Sequence, residues 1–478
     1  MTKSALLGIF CHHGNIPQGI RLAIEHAMRE NLIKFVICTS TLAQGVNLPI
    51  RYLIVADVHQ GQEKIKTRDF QNLIGRAGRS GMHTEGSILF ANNSVYDNKN
   101  IREHSWRWEY AKKLLNSAES EPCTSNLIEI FTPILSDNQK YSLNLTYEQF
   151  VQAYLQSPEE FINEFIKIPE RIDGFSLENI KRQLYKKISL ITAIESFLLF
   201  HSSTDETLLL IENVTQLAQS TLAYQLAEEE PIKDNIVNLF CFIAGNISEK
   251  LVTTDQRAIY GQTLFSINNT EKIKSWLESN FDSLLLQTTQ VDLLTYIWPL
   301  LIKFIHNKNS NRFSQPNIRL VLTLQWIDGY SYSNIHDYMS VNNIQKMRGQ
   351  GTTNFNLDEI VDIFENGLSY DATLFINALI VLIESLNQEG IEEVVQELID
   401  DLKLLQKRIK YGLPSQTAIA VCELGFIDRS ISIDLANSMG DPNLNIQEVK
   451  DILQRPPFEI VDKIYQYPSY FIKFFELL

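Results

Sequence analysis

The chain holds only five cysteines in 478 residues, at positions 11, 38, 123, 241 and 422. So few, so widely spread, exclude a disulfide framework and point to a reducing compartment, so the expected location is cytoplasmic. No Cys-x-x-Cys pair and no His-x-x-x-His spacing occurs, which excludes a closed zinc site although Cys11, His12 and His13 adjoin. None of the 20 glycines is followed by lysine. The loop G-x-x-x-x-G-K-[ST], whose amides cradle phosphates and whose hydroxyl meets magnesium, is therefore missing. An Asp-Glu pair followed two residues on by His or Asp is missing too. Asp205-Glu206-Thr207-Leu208 and Asp358-Glu359-Ile360-Val361 both fail that test. Apolar runs such as Ile188 to Phe200 carry polar breaks and are too short to span a bilayer, and no signal peptide is visible, so no membrane partner is expected.

Positive charge is scarce overall, with a net charge of −15, and it is unevenly placed. Residues 1–95 carry ten Lys and Arg against six Asp and Glu, whereas the remainder carries 32 against 51. A basic N-terminal part suits phosphate and nucleic acid, and the acidic remainder does not suit a general polyanion grip. Apolar stretches at Lys34–Cys38, Tyr52–Asp57 and Gly86–Phe90, together with Gly8–Gly14, read as strands. Pro17–Glu30 and Arg68–Arg76 read as helices between them, the alternation of a parallel α/β sheet. Beyond residue 100 the apolar spacing is near 3.6, predicting helices at 106–115, 177–200, 206–226, 234–247 and 292–306. Asn-, Ser- and charge-rich linkers fall at 92–100, 117–125 and 306–316.

Two segments carry the most specific pattern. Residues 39–49 read Thr-Ser-Thr-Leu-Ala-Gln-Gly-Val-Asn-Leu-Pro, and residues 71–79 read Gln-Asn-Leu-Ile-Gly-Arg-Ala-Gly-Arg. In order and spacing they resemble motifs V and VI of superfamily 2 helicases of the superkiller-like DExH group, and Gly8–Gly14 resembles the entry to that family's motif IVa. The resemblance covers roughly the first 95 residues. It implies an incomplete second RecA-like lobe, opening near motif IVa without the lobe's first strand. A truncated reading frame, a split gene and a fragment all remain open.

The resemblance assigns roles residue by residue. Arg76 and Arg79, three apart and expected on one helix face, match the arginines that reach across the lobe interface to ATP, where a guanidinium stabilises charge on the transferred phosphoryl group. Gly45, Asn47 and Gln71 match positions at the nucleotide. Thr39 and Ser40 match hydroxyls on the nucleic-acid backbone, and His13 and Arg21 lie where the family approaches the strand. The ordinary alternatives are a helix with two solvated arginines and a strand-to-helix turn with Ser and Thr caps. Gly75 and Gly78 would let the backbone approach a neighbour closely.

The fold class expected is an α/β N-terminal part, an incomplete RecA-like parallel sheet, followed by a mainly α-helical region. The expected domains are a partial second lobe at 1–95, a linker and winged-helix region at 96–180, a helical bundle at 181–310 and a helical domain at 311–478. Leu324–Ser331 reads as a helix-turn-helix joint with a buried tryptophan. Tyr411–Ser415 with Gly425 resembles a helix-hairpin-helix near 405–440, though without the usual second glycine, which favours the alternative of a purely structural hairpin, and Asp428-Arg429 reads as the surface start of the next helix. The function implied is the C-terminal portion of an ATP-dependent helicase or translocase, a hydrolase using ATP and Mg2+ with a first lobe in cis or trans, acting on single-stranded nucleic acid and inactive alone. The alternative is a non-catalytic helical adaptor that binds a protein partner through the acidic region.

Overall fold

The computed structural model describes residues 2–39, 50–57, 59–60, 63–78, 85–144, 146, 149, 174–202, 204–205, 207–349, 351–386 and 392–478. The N-terminal elements are α1 (Thr2–Leu6), β1 (Ile9–His12), α2 (Gln18–Arg29), β2 (Phe35–Cys38), β3 (Tyr52–Val55), β4 (His59–Gln60), β5 (Glu63–Lys64), α3 (Thr67–Ile74), β6 (Ser87–Phe90), α4 (Ser94–Asp97) and α5 (Ser105–Leu115). The parallel α/β arrangement takes the form of two parallel pairs. β1 pairs with β2, Ile9 opposite Phe35 and His12 opposite Cys38. β3 pairs with β6, Tyr52 opposite Ser87 and Val55 opposite Phe90. Helices α2 and α3 make the crossovers that parallel pairing requires. β4 and β5 form a small antiparallel hairpin.

Alternation along β3 turns Leu53 and Val55 inward, where they pack with Phe70 of α3, Val95 of α4 and Ala111 and Leu114 of α5. Tyr52 and Ile54 on the other face are exposed, as are Phe35 and Ile37 of β2. Parallel strands are ordinarily covered on both faces; among the described residues the β3–β6 pair is covered on one.

The remainder is helical: β7 (Ile134–Leu135), β8 (Ser142–Leu143), α6 (Leu177–Ser202), α7 (Ile211–Ser220), α8 (Leu222–Leu226), α9 (Glu230–Lys250), α10 (Thr254–Thr263), α11 (Ile267–Leu285), α12 (Gln290–Leu301), α13 (Ile318–Ile327), α14 (Tyr332–Val341), β9 (Gln345–Arg348), β10 (Gly351–Asn354), α15 (Leu357–Val361), α16 (Ser369–Leu386), α17 (Glu393–Tyr411), α18 (Gln416–Leu424), α19 (Arg429–Met439), α20 (Ile446–Gln454), α21 (Phe458–Ile464) and α22 (Ser469–Phe475). A π-helical turn, Asp362–Leu368, joins α15 to α16. The helix expected at 206–226 is two helices, because Thr221 is extended (ψ 146°). The helix expected at 292–306 ends at Leu301, two residues after Pro299, which cannot donate its hydrogen bond. The run Leu357–Leu386 is long and apolar enough to cross a bilayer by length and composition alone, and 61% of its most apolar window is buried, as in a core helix.

The chain divides into two compact units. One comprises Met1–Pro122, Ile302–Thr373 and Leu404–Leu478; the other comprises Cys123–Leu301 and Leu374–Lys403. In the second, α6, α7 and α9 enclose a core that includes Ile191, Leu198, Val214, Ile243 and Ile247. The buried ammonium of Lys187 on α6 donates to the carbonyls of Glu129, Ile130 and Thr132, and burial lowers its pKa to about 8.

In the first unit, Trp326 of α13 is fully enclosed, and its indole N–H donates to Ile409 O at 2.7 Å. The buried tryptophan read from the sequence is therefore present, stacked on Phe364 with ring centroids 4.8 Å apart. Helices α17 and α18 are joined through Gly412 (φ +62°), where a Cβ would stand 2.4 Å from the Trp326 ring. Gly412→Ala combines a left-handed backbone strain with overpacking. It should destabilise this unit by about 2 kcal/mol or more, read as an earlier thermal or urea transition.

Candidate nucleic-acid and nucleotide site

The carboxyl ends of parallel strands are where ligands gather in open α/β sheets. His13 follows β1 and Thr39 follows β2, and because His12 stands opposite Cys38, both residues lie at one end of this strand pair. Thr39 is exposed, and its backbone N–H donates to His12 O at 3.3 Å. His13 is half-buried, and its carbonyl accepts from Ile16 N–H. His12 itself faces inward. Its Nε2 lies 2.9 Å from Glu25 Oε1 of α2, both groups well shielded, so the histidine ties strand to helix. Ser40, Gly45 and Asn47 lie outside the described residues.

Gln71 sits on α3, with its side-chain amide donating to Leu114 O at 2.7 Å at the end of α5. Helix α3 stops at Ile74. Arg76 lies in the turn beyond, half-buried, and Ala77 forms a parallel bridge with Ile50. The sequence reading placed Arg76 and Arg79 on one helix face. For Arg76 the structure differs: α3 ends at Ile74, and two residues past Arg76 the N–H of Gly78 (φ +71°) donates to Ile50 O at 2.9 Å, so Arg76 lies in a turn and not on a helix face. Arg79 lies outside the described residues. The close approach anticipated for Gly78 is real, since its Cβ would meet Gly86 N at 2.5 Å. Gly75 has ordinary helical angles, and its nearest neighbours are carbonyls of its own turn.

Arg21, in the first turn of α2, is half-buried, and its charge acts on Glu365 of the π turn. Burial raises the Glu365 carboxyl above its usual range, while the Tyr332 hydroxyl, Arg429 and Arg21 oppose the rise. The surface role read for Arg429 is overturned. Its guanidinium lies 3.6 Å over the Trp326 ring and donates to the carbonyls of Gly412, Trp326 and Tyr330. Asp428 does begin α19, accepting from the N–H groups of Ser430 and Ile431.

Two fixed features escaped the sequence reading. Asp57, just past β3, accepts both 2.9 Å and 3.0 Å bonds from Arg107 Nη2 of α5. Glu121 caps α3, accepting from Thr67 N–H at 2.9 Å and Arg68 N–H at 3.0 Å. Its distance of more than 50 residues from α3 left no local signal. The bond from Arg68 N–H, with that from Thr67, holds the Glu121 carboxyl below its ordinary range despite some burial. Among the described residues no group of three or more His, Cys, Asp or Glu could hold a metal ion.

Since the folded carboxylate of Glu121 is favoured, its contribution is present above the unfolded glutamate pKa and lost as pH falls through the folded one. Glu121→Ala should therefore cost about 1 kcal/mol at neutral pH, and the gap between variant and parent should close in acid. Paired melts at neutral and acid pH provide the check.

Residues 1–81 match the helicase conserved C-terminal domain. The chain is 35% identical over 113 residues to the Hachiman protein HamB of Bacillus cereus, covering 22% of this chain and 10% of that protein. It is 33% identical over 133 residues to the helicase POLQ-like protein of Homo sapiens, covering 28% and 11%. It is 36% identical over 87 residues to the ATP-dependent DNA helicase Hel308 of Pyrobaculum calidifontis, covering 17% and 12%. The chain thus matches about a tenth of the length of these relatives. Its N-terminal part is a helicase-family C-terminal region.

Proposed function

We propose that this chain supplies the second lobe of an ATP-dependent motor of the superkiller-like DExH kind, working on single-stranded nucleic acid with a first lobe carried in cis or trans. The observation that supports this reading best is the helicase C-terminal match over residues 1–81, which spans both motif segments. His13 and Thr39 at the shared strand end suit a track for a phosphate backbone, to which loop hydroxyls and amides bind without reading sequence. In this reading Ser40 adds a second hydroxyl and Arg21 a cation near that track. Gly45, Asn47 and Gln71 border the nucleotide, and Arg76 and Arg79 supply guanidinium groups. ATP with Mg2+ supplies the phosphoryl group whose transfer drives the motor, and the first lobe supplies its cradle. Residues 96–180 are proposed as linker and winged helix, 181–310 as helical bundle, and 405–440 as a helix-hairpin-helix.

The test joins the 478-residue chain to a matching first lobe, fused or mixed. Nucleic-acid-stimulated hydrolysis should appear only in the combination. Arg76→Ala or Arg79→Ala should each cut turnover on the order of a thousandfold, with a smaller effect on nucleotide binding. A lysine at either position should rescue incompletely, because an ammonium lacks the planar fork. Undiminished hydrolysis with both arginines removed would show that they are not fingers. No hydrolysis in any combination would favour the adaptor reading.

A further inference from the structure

We propose that residues 308–349 and 351–354 form a surface for double-stranded nucleic acid, with α14 as the groove-facing helix and the strands β9 and β10 as a flanking grip. The inference rests on this part of the structure alone and is independent of the motor reading.

Helices α13 and α14 are joined by four residues, Asp328 to Ser331, with Gly329 at φ +82°. A three- or four-residue turn with a glycine is the connection of helix-turn-helix units, whose second helix enters the major groove. Ser331 caps α14, its Oγ accepting from Asn334 N–H at 3.1 Å. The inner side of α14 is fixed by Ile335 and Met339, both buried. Its outer side exposes Ser333, Asn334, Asp337 and Ser340. Short polar side chains of this kind hydrogen-bond to base edges, and Asn suits adenine.

The hairpin follows at once. β9 and β10 are antiparallel, with Arg348 opposite Gly351. Gly349 has φ +59° and nothing within 4 Å of the place its Cβ would take, so this end of the hairpin is open. Arg348 is exposed beside it. The hairpin is anchored rather than loose. Ser314 donates twice to Gln345 O, Arg312 Nε donates to Met347 O at 3.2 Å, and Lys346 pairs with Glu359.

Charge supports a polyanionic partner. Residues 302–356 carry six Lys and Arg against two Asp and Glu, within a region past residue 95 that is otherwise acidic. Two of the six, Arg312 and Lys346, pair with Glu359. Arg319 is half-buried and donates to Pro316 O and Asn311 Oδ1, whereas Lys308 and Arg348 are exposed and form no ion pair among the described residues, so their charge remains for phosphates. Asp337 and the small number of free cations set a modest affinity, weighted toward the duplex backbone.

The experiment measures binding of the full 478-residue chain to a 20-base-pair duplex and to a single strand of equal length across a salt series. Lys308→Ala with Arg348→Ala should weaken duplex binding about tenfold at low salt. The slope of log affinity against log salt should fall by about two, one for each lost phosphate contact. Single-strand binding should stay within about twofold, and the melting temperature should not move, because both side chains are exposed. Arg348→Lys should keep most of the duplex affinity. Asn334→Ala should change the preference among duplex sequences more than the salt slope. Thr39→Ala with Ser40→Ala should show the opposite pattern, losing single strands and keeping duplex, so the two surfaces fail separately. Unchanged duplex binding in the double variant would overturn the proposal. So would an equal loss of single strands, which would reduce the effect to general charge. Absence of duplex binding by the parent chain would overturn it as well, leaving this surface to a protein partner.

Discussion

The guanidinium of Arg429 lying on the Trp326 ring is the contact around which the C-terminal part of the first unit is arranged. It gathers three carbonyls, those of Trp326 and Tyr330 at the end of α13 and that of Gly412 at the end of α17. Helix C-termini leave carbonyls without intrahelical partners, and a cation there also complements the macrodipole. One side chain therefore closes two helix ends and stacks on an aromatic face. The stacking alone contributes about 2 kcal/mol when desolvated. Burial works against the charge, and Tyr332, Glu365 and Asp428 favour keeping it. The π turn at Asp362–Leu368 has a physical place in this arrangement, since it carries Glu365 to the Tyr332 hydroxyl.

From this node the arrangement continues to the N-terminal helicase part. Asp428 lies so near α2 that a Cβ on Gly19 would stand 2.5 Å from it. Arg21 of the same helix acts on Glu365. At the far end of α2, Glu30 pairs with Lys473 of α22 at 3.0 Å and His26 meets Tyr470 edge-on. Burial, then the Lys473 charge, lowers the His26 pKa. A histidine whose folded pKa lies below its unfolded one gives stability above the ordinary histidine range and loses it as pH falls. Docking of α2 is thus favoured with a neutral imidazole.

The sequence carried much of this because its signals were local. Alternation in Tyr52–Val55 and the apolar run Phe35–Cys38 marked strands, and helices such as 105–115 and 177–202 followed from their spacing. What it missed was set by distant partners. Glu121 caps a helix from across more than 50 residues, and Arg107 holds Asp57 from another element. Asp428-Arg429 read as a surface pair because charge marks exposure unless an aromatic face and free carbonyls are waiting, and those come from Trp326, about a hundred residues earlier. Among the candidate site residues, the placing of His13 and Thr39 just past one end of a strand pair was within reach of the pattern, whereas the backbone path at Arg76 was not.

That path has its own cause. Gly78 and Gly86 face each other so closely that a Cβ on either would stand 2.4–2.5 Å from the other's backbone. Gly78 also donates to Ile50 O, while Ala77 bridges Ile50 and Ser87 N–H donates to Arg51 O. The turn that carries Arg76 is therefore stitched to the strand pair β3–β6 and takes its position from the register of that pair, with α3 only delivering the chain to it. A glycine at residue 78 is required by this packing whether or not a nucleotide is near. Arg76, two residues before Gly78, therefore has its backbone held between the end of α3 and the contacts of Ala77 and Gly78 with Ile50.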